Sequence, residues 1–417
     1  MEKYQPSVKE AWGKTWVPFL LSRLLILTIL TFIGTLHVDE IPGREGRNLH
    51  LYSQVSISAS HAALSRILKS ADANWYLEIA KTGYHPGPMT TEIAKNWAFF
   101  PLFPLLLRGL GLFTTHLVIA GVLLNNVLFF ASLILLCMLL PIYGASARAT
   151  EKAIWMLVFF PTSYFFSALL SESLYLLLLL SAFYLLEISA TTRKGYLQAL
   201  FYLSLSAICY AGLTATRPTG LLMLPAYLWR CLELRRPLLQ SIENTLRIKT
   251  RVMLPAVSIL LLAVTTSGAL GYMYYLWNLT GNPLAFSDNQ LAWGRNQVTF
   301  LTLAGEMLSL PVELCLPWNF LTLNTCSALL TAGAALYFAE RRNFSLVLLL
   351  LIPLAAVLAT GTVVSIGRFV LTFFPVFLYL GRLAETPTTE RILLIISAVW
   401  MGLMTAGYAL HITSAMA

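Results

Sequence analysis

Charged residues are scarce in this sequence and make up only 11% of its 417 residues, whereas a typical soluble domain has about 25%. Hydrophobic residues make up 58% of the chain. Apolar runs of about 18 residues or more recur along it, which is the length of a transmembrane helix. Runs such as "LYLLLLLSAFYLL" lack the polar–apolar alternation of barrel strands, so helices are the expected spanning form. The composition excludes an ordinary soluble domain and predicts one all-α membrane domain over 1–417.

Several sequence signatures of cofactor and metal sites are also missing. No Walker A or GxGxxG segment occurs, which argues against nucleotide-driven transport. No HxxxH or HExxH pair occurs, and we expect neither a dedicated metal site nor a tightly bound cofactor. The five cysteines form no CxxC and no Cys/His cluster. Cys315 and Cys326 could pair only if both face an oxidising compartment.

The net charge of +9 is better explained by membrane topology than by a nucleic-acid partner, because Lys and Arg collect in short cytoplasmic loops. With the N-terminus inside and the first span retained, the short outer turns hold few basic residues. The inner loops hold many: Arg148, Lys152, Arg193, Lys194, the stretch 230–251, Arg341, Arg342, Arg382 and Arg391. We therefore expect a multi-pass protein of a prokaryotic plasma membrane, or of the endoplasmic reticulum if eukaryotic.

The apolar runs predict about eleven spans. A long outer loop with interfacial helices, at 37–116, follows the first span and includes a short run broken by Pro101 and Pro104. The expected spans lie near 17–36, 117–140, 153–170, 173–189, 196–216, 218–230, 252–277, 318–339, 344–362, 366–381 and 391–413.

This threading places a set of polar side chains on one side of the membrane, in outer loops or at outer span ends. Charges at such depths are costly and usually mark a water-filled site. A shared outer cavity is therefore predicted for Asp72, Glu172, Arg217, Asp288, Trp293, Arg295 and Arg368.

Asp72 is the candidate general base, because a carboxylate within hydrogen-bond reach can take a proton from an acceptor hydroxyl. On a helix, Trp75 and Tyr76 would share its face. The alternative is structural: an Asp just before "ANWYLEIA" is well placed to cap a helix. Glu172, in "SES" at the turn predicted between two spans, would be a second acid of the site or a structural partner for an arginine.

Arg217 and Arg368 are candidate ligands of a phosphate group, because a guanidinium presents a planar fork of N–H groups that suits phosphate. The alternatives are snorkelling to lipid headgroups and a salt bridge to Glu172. Sugar or acceptor binding is assigned to Trp75, Tyr76, Tyr84, His85, Trp97, Asp288, Trp293 and Arg295. Aromatic belts at the membrane interface would explain the rings about as well.

A series of segments resembles the PIG-V family, the GPI mannosyltransferase 2-like proteins, in the GT-C class of membrane glycosyltransferases. The resemblance covers most of the chain from about residue 70 to 381, in family order. The segments are "ADANWYLEIAKTGY", "NWAFFPLFPLLLR", "FPTSYFFSALLSESLYLLLLLSAFYLL", "AGLTATRPTGLL", "YYLWNLTGNPLAFSDNQLAWGR" and "GRFVLTFFPVFLYL".

The resemblance implies an active site facing the lumen or the periplasm, a polyprenyl phosphate sugar as donor, and an acid of the first outer loop serving the acceptor. Asp72 occupies the matching position. Ala71 stands where the family often has Trp, which affects the expected packing before the acid. The simple loops look like those of a prokaryotic relative, and a role in a GPI pathway is then not expected.

Together these features predict an inverting mannosyltransferase whose partners are membrane lipids, a lipid-linked donor and a glycolipid or glycan acceptor. A partner subunit is compatible with the sequence. The alternatives are a transporter or flippase of lipid-linked sugars and a scaffold subunit. The sequence shows no obvious internal repeat, which argues against a transporter. A scaffold role leaves the charges on one face unexplained.

Overall fold

The computed structural model describes residues 5–36, 68, 72–192, 195–246, 250–293, 320–360 and 363–410. In these ranges the chain is helical and contains no strand, as expected. The helices are α1 (Val8–Leu36), α2 (Ala73–Thr82), α3 (Leu102–Leu110), α4 (Leu117–Leu139), α5 (Ala147–Val158), α6 (Glu172–Thr191), α7 (Tyr196–Thr216), α8 (Thr219–Leu246), α9 (Thr250–Thr280), α10 (Ala285–Asp288), α11 (Phe320–Glu340), α12 (Phe344–Leu358), α13 (Ile366–Val370), α14 (Phe374–Leu383) and α15 (Pro387–Ala409). Short 3₁₀ helices lie at Asn96–Ala98, Ser163–Phe166 and Asn289–Trp293.

Seven of the described helices are long and apolar enough to cross a membrane, which makes this a multi-pass membrane protein. They include α1, α4, α6, α7, α11 and α15, together with the Ser258–Thr280 part of α9. The helices α12 and α14 are apolar but shorter. The expected count of about eleven spans is therefore not confirmed. Within the expected outer loop, residues 37–67 and 69–71 lie outside the described residues, and the remainder carries α2 and α3. Cys315 also lies outside the described residues.

The predicted span at 153–170 is wrong as a continuous helix, because α5 ends at Val158 and a 3₁₀ turn follows. Pro161 cannot donate an amide hydrogen in the middle of this run. The freed carbonyls are satisfied by side chains instead. Arg23 of α1 donates to the carbonyls of Val158 and Ser163, at 3.2 and 2.9 Å, and Asn125 of α4 donates to the carbonyls of Ala168 and Leu170. The segment before α6 is thus fixed in an irregular conformation.

The predicted span at 366–381 is likewise divided, into α13 and α14. Pro375 has no amide hydrogen and could not continue a helix from α13, but it is well accommodated in the first turn of a helix. The chain therefore turns at Thr372–Phe373, and α14 begins at Phe374. Ser365, just before α13, has φ of +71°, a left-handed conformation that is uncommon outside glycine. The turn leaves Arg368 on a short helix of its own, free of the constraints of a long span.

Close helix crossings depend on glycine. A Cβ on Gly268 of α9 would lie 2.0 Å from the carbonyl oxygen of Ala211 on α7, and one on Gly381 of α14 would lie 2.3 Å from that of Ala149 on α5. Helices in lipid associate through such close packing, because no hydrophobic effect drives them together. The α7–α9 and α5–α14 contacts therefore cannot accept a side chain without moving a backbone.

We expect Gly268→Ala to destabilise the protein by about 1–3 kcal/mol, the usual cost of overpacking a close contact. Gly271→Ala is the matched control, because a Cβ there meets no atom within 4 Å. Thermal unfolding in detergent measures both variants. Equal melting temperatures for the two would contradict the assigned packing.

Candidate functional site

A cavity of about 660 Å³ lies where α2, the α7–α8 turn, α10 and α13 meet. Its polar lining includes Asp72, Arg217, Asp288 and Arg368, which come from four separate parts of the chain. Aromatic and aliphatic side chains complete the wall: Tyr76, Phe99, Phe100, Leu222, Phe286, Leu291, Ala356, Val357 and Phe369. The volume is within the range of about 300–1,000 Å³ usual for ligand sites.

Two acids and two arginines form one ion-pair network beside this cavity. Arg368 Nη1 donates to Asp72 Oδ2 at 2.5 Å, and its Nε donates to Glu172 Oε1. Arg217 Nη1 donates to the same Glu172 oxygen at 2.7 Å. The four formal charges cancel. The predicted convergence of Asp72, Arg217 and Arg368 on one cavity is present in the structure.

The carboxylate of Asp72 is directed to the cavity and not to its own helix. Asp72 occupies the N-cap position of α2, as the structural alternative expected, but its side chain makes no capping hydrogen bond. The side chain is 28% exposed. Its position against Arg368 Nη1 leaves it accessible from the cavity, which is the requirement for a proton acceptor.

Glu172 differs from Asp72 in its surroundings. Its side chain is fully buried, and it does not line the cavity. It is the first residue of α6, where a negative charge also suits the positive end of the helix dipole. Its Oε2 atom receives no hydrogen bond from another residue that the structure describes. The geometry makes Glu172 the buried counter-ion of the two arginines.

The two arginines are not equivalent. Arg217 contacts one carboxylate and is 12% exposed, whereas Arg368 contacts two and is 6% exposed. Pro218 holds Arg217 in an extended conformation, with φ of −154° and ψ of 148°, and so ends α7 at the cavity wall. The Arg217 guanidinium lies 5.1 Å from the ring centre of Phe369. Arg217 therefore has the larger share of unused N–H groups facing the cavity.

Tyr76 is a buried member of the cavity wall. Its hydroxyl shares a hydrogen bond with Ser171 Oγ at 2.9 Å, next to Glu172 in sequence. Burial raises the pKa of Tyr76 to about 12, so the phenol remains protonated at neutral pH. Its ring packs edge-on against Phe99 and Phe103. Tyr76 thus links α2 to the start of α6.

Four other predicted binding residues do not line the cavity. Trp75 stacks on Phe99, with ring centres 5.9 Å apart. The Tyr84 hydroxyl donates to the Phe99 carbonyl at 2.6 Å. Trp97 is fully buried and donates from Nε1 to the His85 carbonyl at 2.8 Å.

The His85 ring pairs with Glu78 at 2.8 Å. These four side chains therefore support the cavity wall from behind. The rings that do face the cavity beside Tyr76 include Phe99, Phe100 and Phe286. None of these three rings was predicted as a site residue. The "FFP" segment, which contains Phe99 and Phe100, is the sequence signal that could have identified two of them.

Asp288 lines the cavity as predicted, and Asn282 donates to its Oδ2 atom at 2.8 Å. The neighbouring Ser287 and Gln290 also line it and were not predicted. Asn289 holds this segment against 90–95, because it accepts from the Lys95 amide at 2.8 Å and donates to the carbonyls of Thr90 and Ile93. The side chain of Trp293 and the whole of Arg295 lie outside the described residues.

Among the described residues, no group of three or more His, Cys, Asp or Glu side chains is placed to hold a metal ion. The site offers instead a partly exposed carboxylate, a partly exposed guanidinium and aromatic walls. A carboxylate can accept a proton, a guanidinium can bind a phosphate, and ring faces can pack on a sugar.

The family model described as mannosyltransferase (PIG-V) matches residues 19–299 of this chain. The matched region includes Asp72, Glu172, Arg217 and Asp288, whereas Arg368 lies beyond it. No curated protein gives a significant match, and no solved structure does.

Proposed function

Since the chain belongs to the PIG-V mannosyltransferase family, we propose that it transfers mannose from a polyprenyl phosphate to an acceptor hydroxyl, with inversion. The transfer takes place in the cavity between α2 and α13, on the extracytoplasmic face of the membrane. The observation that carries the proposal is the partly exposed carboxylate of Asp72, held by Arg368 in the wall of a cavity of about 660 Å³.

The reaction has one bond-forming and one bond-breaking event at the anomeric carbon. The acceptor oxygen attacks that carbon from the face opposite the phosphate. The bond between the carbon and the phosphate oxygen breaks, and the electron pair leaves with polyprenyl phosphate. Asp72 takes the proton of the acceptor hydroxyl as general base. A phosphate is already a good leaving group and needs no general acid.

The ion-pair network couples the proton transfer to Asp72 with the departure of the phosphate. In the free protein Arg368 is shared between Asp72 and Glu172. When Asp72 becomes protonated it loses its negative charge, and its attraction for Arg368 falls. At the same moment the leaving phosphate gains negative charge. Arg368 then turns from the base to the phosphate, so one guanidinium stabilises the reactant carboxylate first and the leaving group afterwards.

Arg217 is the first ligand of the donor phosphate, because it faces the cavity and contacts only one carboxylate. Glu172 keeps both arginines in place and does not touch substrate. Asp288, with Ser287 and Gln290, offers hydrogen-bond partners for sugar hydroxyls across the cavity. Trp293 and Arg295 follow directly in the chain, and we assign them to the acceptor.

We expect Arg217→Gln to raise the KM for the donor by about 10–100-fold, because a hydrogen bond to a charged group contributes about 1.5–3 kcal/mol. Turnover at saturating donor should fall much less. Arg148→Gln serves as the control, because Arg148 also pairs with one carboxylate, that of Glu390, but does not line this cavity. The kinetics of both variants with varied polyprenyl phosphate mannose make the comparison. An unchanged KM in Arg217→Gln would remove this residue from the phosphate site.

The proposed function is tested with the purified protein in lipid vesicles. Vesicles receive polyprenyl phosphate carrying labelled mannose, or GDP-mannose in a parallel reaction, together with a lipid extract that supplies acceptors. We expect a labelled product only with the polyprenyl donor. Transfer from GDP-mannose alone would refute the proposed donor. Movement of the labelled donor across the bilayer without a new covalent product would favour a flippase.

Mass spectrometry of lipids and glycoconjugates from cells with and without the gene identifies the acceptor. We expect a product that lacks one mannose when the gene is absent. An unchanged glycoconjugate profile would contradict a role in mannosyl transfer.

A further inference from the structure

A second cavity, of about 410 Å³, lies between α2, α3 and the C-terminal part of α9. It shares no lining residue with the cavity of the proposed active site. The rings of Phe100 and Tyr272, with centres 4.7 Å apart, stand between the two. We call it the α3–α9 groove. Its lining comprises Ile79, Gly83, Tyr84, Pro101, Pro104, Leu105, Arg108, Gly268, Gly271, Tyr272 and Tyr275.

The groove is apolar although three tyrosines line it. The hydroxyl of Tyr84 donates to the carbonyl of Phe99, and that of Tyr272 donates to the carbonyl of Trp97. Tyr84 and Tyr272 pack against each other with ring centres 5.3 Å apart, and Tyr272 is buried. The exposed ring of Tyr275 therefore offers the main aromatic surface to a ligand. At Gly271 no atom lies within 4 Å of where a Cβ would be, so the absence of a side chain there keeps the groove open.

The surface around the groove is also apolar. On α9, the side chains of Leu270, Tyr274 and Trp277 are exposed, and on α3 that of Leu105 is exposed. The Ser258–Thr280 part of α9 is a candidate span. Exposed apolar side chains on a spanning helix face lipid, and Tyr and Trp at its end are typical of the headgroup level. The medium that reaches this groove is therefore lipid.

One cation interrupts this apolar surface. Arg108 of α3 donates from Nε to the carbonyl of Ala80 at 2.8 Å and from Nη2 to that of Ile79 at 3.2 Å. These bonds fix the guanidinium over the C-terminal end of α2. Its Nη1 donates to no acceptor in the part of the chain that the structure describes. The side chain is exposed, so Arg108 can still bind an anion at the edge of the groove.

We propose that the α3–α9 groove binds an anionic phospholipid of the surrounding bilayer. One acyl chain lies along Gly271, Tyr272 and Tyr275, and the phosphate accepts hydrogen bonds from Arg108. The charge of Arg108 selects an anionic headgroup, and the ring faces and the open position at Gly271 select a hydrocarbon chain. This site is independent of the mannosyl donor site.

The test uses native mass spectrometry of the purified full chain in detergent, with phosphatidylglycerol or phosphatidylcholine of identical acyl chains. We expect the wild type to retain one phosphatidylglycerol with about tenfold preference. Both lipids carry the phosphate, but the choline of phosphatidylcholine adds a positive charge that Arg108 repels, whereas phosphatidylglycerol keeps a net negative charge. Gly271→Leu should reduce that retention about tenfold by filling the groove. Gly333→Leu is the matched control, because its Cβ also meets nothing within 4 Å, and it should bind like the wild type.

Arg108→Gln tests the headgroup contact and should abolish the preference for phosphatidylglycerol. Because Arg108 also donates hydrogen bonds to the end of α2, the thermal unfolding of Arg108→Gln is measured in parallel. If Arg108→Gln fails to fold, the retention of phosphatidylglycerol by Gly271→Leu decides the test. Equal retention of the two lipids by the wild type would overturn the proposal. Unchanged retention in Gly271→Leu would do the same. One-for-one displacement of phosphatidylglycerol by polyprenyl phosphate would also overturn it and assign the groove to the donor chain.

Discussion

Asp72→Asn should lower the rate of mannosyl transfer by about 10²–10⁴-fold, the usual contribution of a general base. Asn has the same shape and can still accept a hydrogen bond from Arg368 Nη1, so the cavity should keep its form. It cannot take a proton from the acceptor hydroxyl. Donor binding should change only slightly, because Arg217 remains paired with Glu172. Transfer assays at saturating donor, with a parallel measurement of donor binding, check both expectations.

Glu78→Gln is the control for this substitution. Glu78 is a carboxylate on α2, close to Asp72 in sequence, but it pairs with His85 and does not line the cavity. Its transfer rate should stay within a few-fold of the wild type. A wild-type rate in Asp72→Asn would end the assignment of the base. If Asp72→Asn bound the donor more weakly but kept the wild-type transfer rate at saturating donor, Asp72 would act only through Arg368.

Glu172→Gln should have the largest effect on stability. Removing one partner of a buried ion pair costs about 3–5 kcal/mol, because the remaining charge stays buried without compensation. In this variant Asp72 would be the one remaining negative charge beside the two arginines. The unbalanced positive charge weakens the fold, and it also draws Asp72 closer to Arg368. Thermal and denaturant unfolding in detergent measure the stability. The KM for the donor and the transfer rate are measured on the folded fraction, and the KM should rise.

Glu187→Gln separates the local effect from general destabilisation. Glu187 is a buried acid of the same helix α6, and Arg230 donates to it at 2.6 Å. Glu187→Gln should also lose stability, but less than Glu172→Gln, because Arg230 is partly exposed and keeps Glu233 as a partner. It should leave the KM for the donor unchanged. The double variant Glu172→Gln/Arg217→Gln restores charge balance and should recover about 1–3 kcal/mol, a coupling typical of contacting residues. Recovery of donor binding in the double variant would contradict the role of Arg217.

Hydropathy and charge in the sequence were sufficient to predict an all-helical, multi-pass membrane protein, because spans are local features of about 20 residues. Most of the long apolar helices fall where the runs predicted them. The prediction was wrong at 153–170, where Arg23 and Asn125 supply hydrogen bonds to an irregular segment. Nothing local to that segment shows that a residue about 140 positions away on α1 will bind it.

The candidate site was predictable in part. The lone charges at span ends indicated a shared cavity, because an ion in such a position needs water or a partner. The sequence left three possibilities for Arg217 and Arg368: phosphate binding, snorkelling or pairing with Glu172. Both arginines pair with that acid in the structure, and both also line the cavity, so pairing and a role in substrate binding are compatible.

The sequence by itself determined the class of protein, the family and the identity of the charges that meet. Only the tertiary structure decided which acid is exposed and which is buried. Asp72 and Arg368 are 296 positions apart in the sequence. Whether a carboxylate faces a cavity or is buried in the protein interior depends on side chains from every element around it. The same reason removes Trp75, Tyr84, His85 and Trp97 from the cavity lining and places them behind it. Burial results from packing between distant segments, and hydropathy along the chain does not record it.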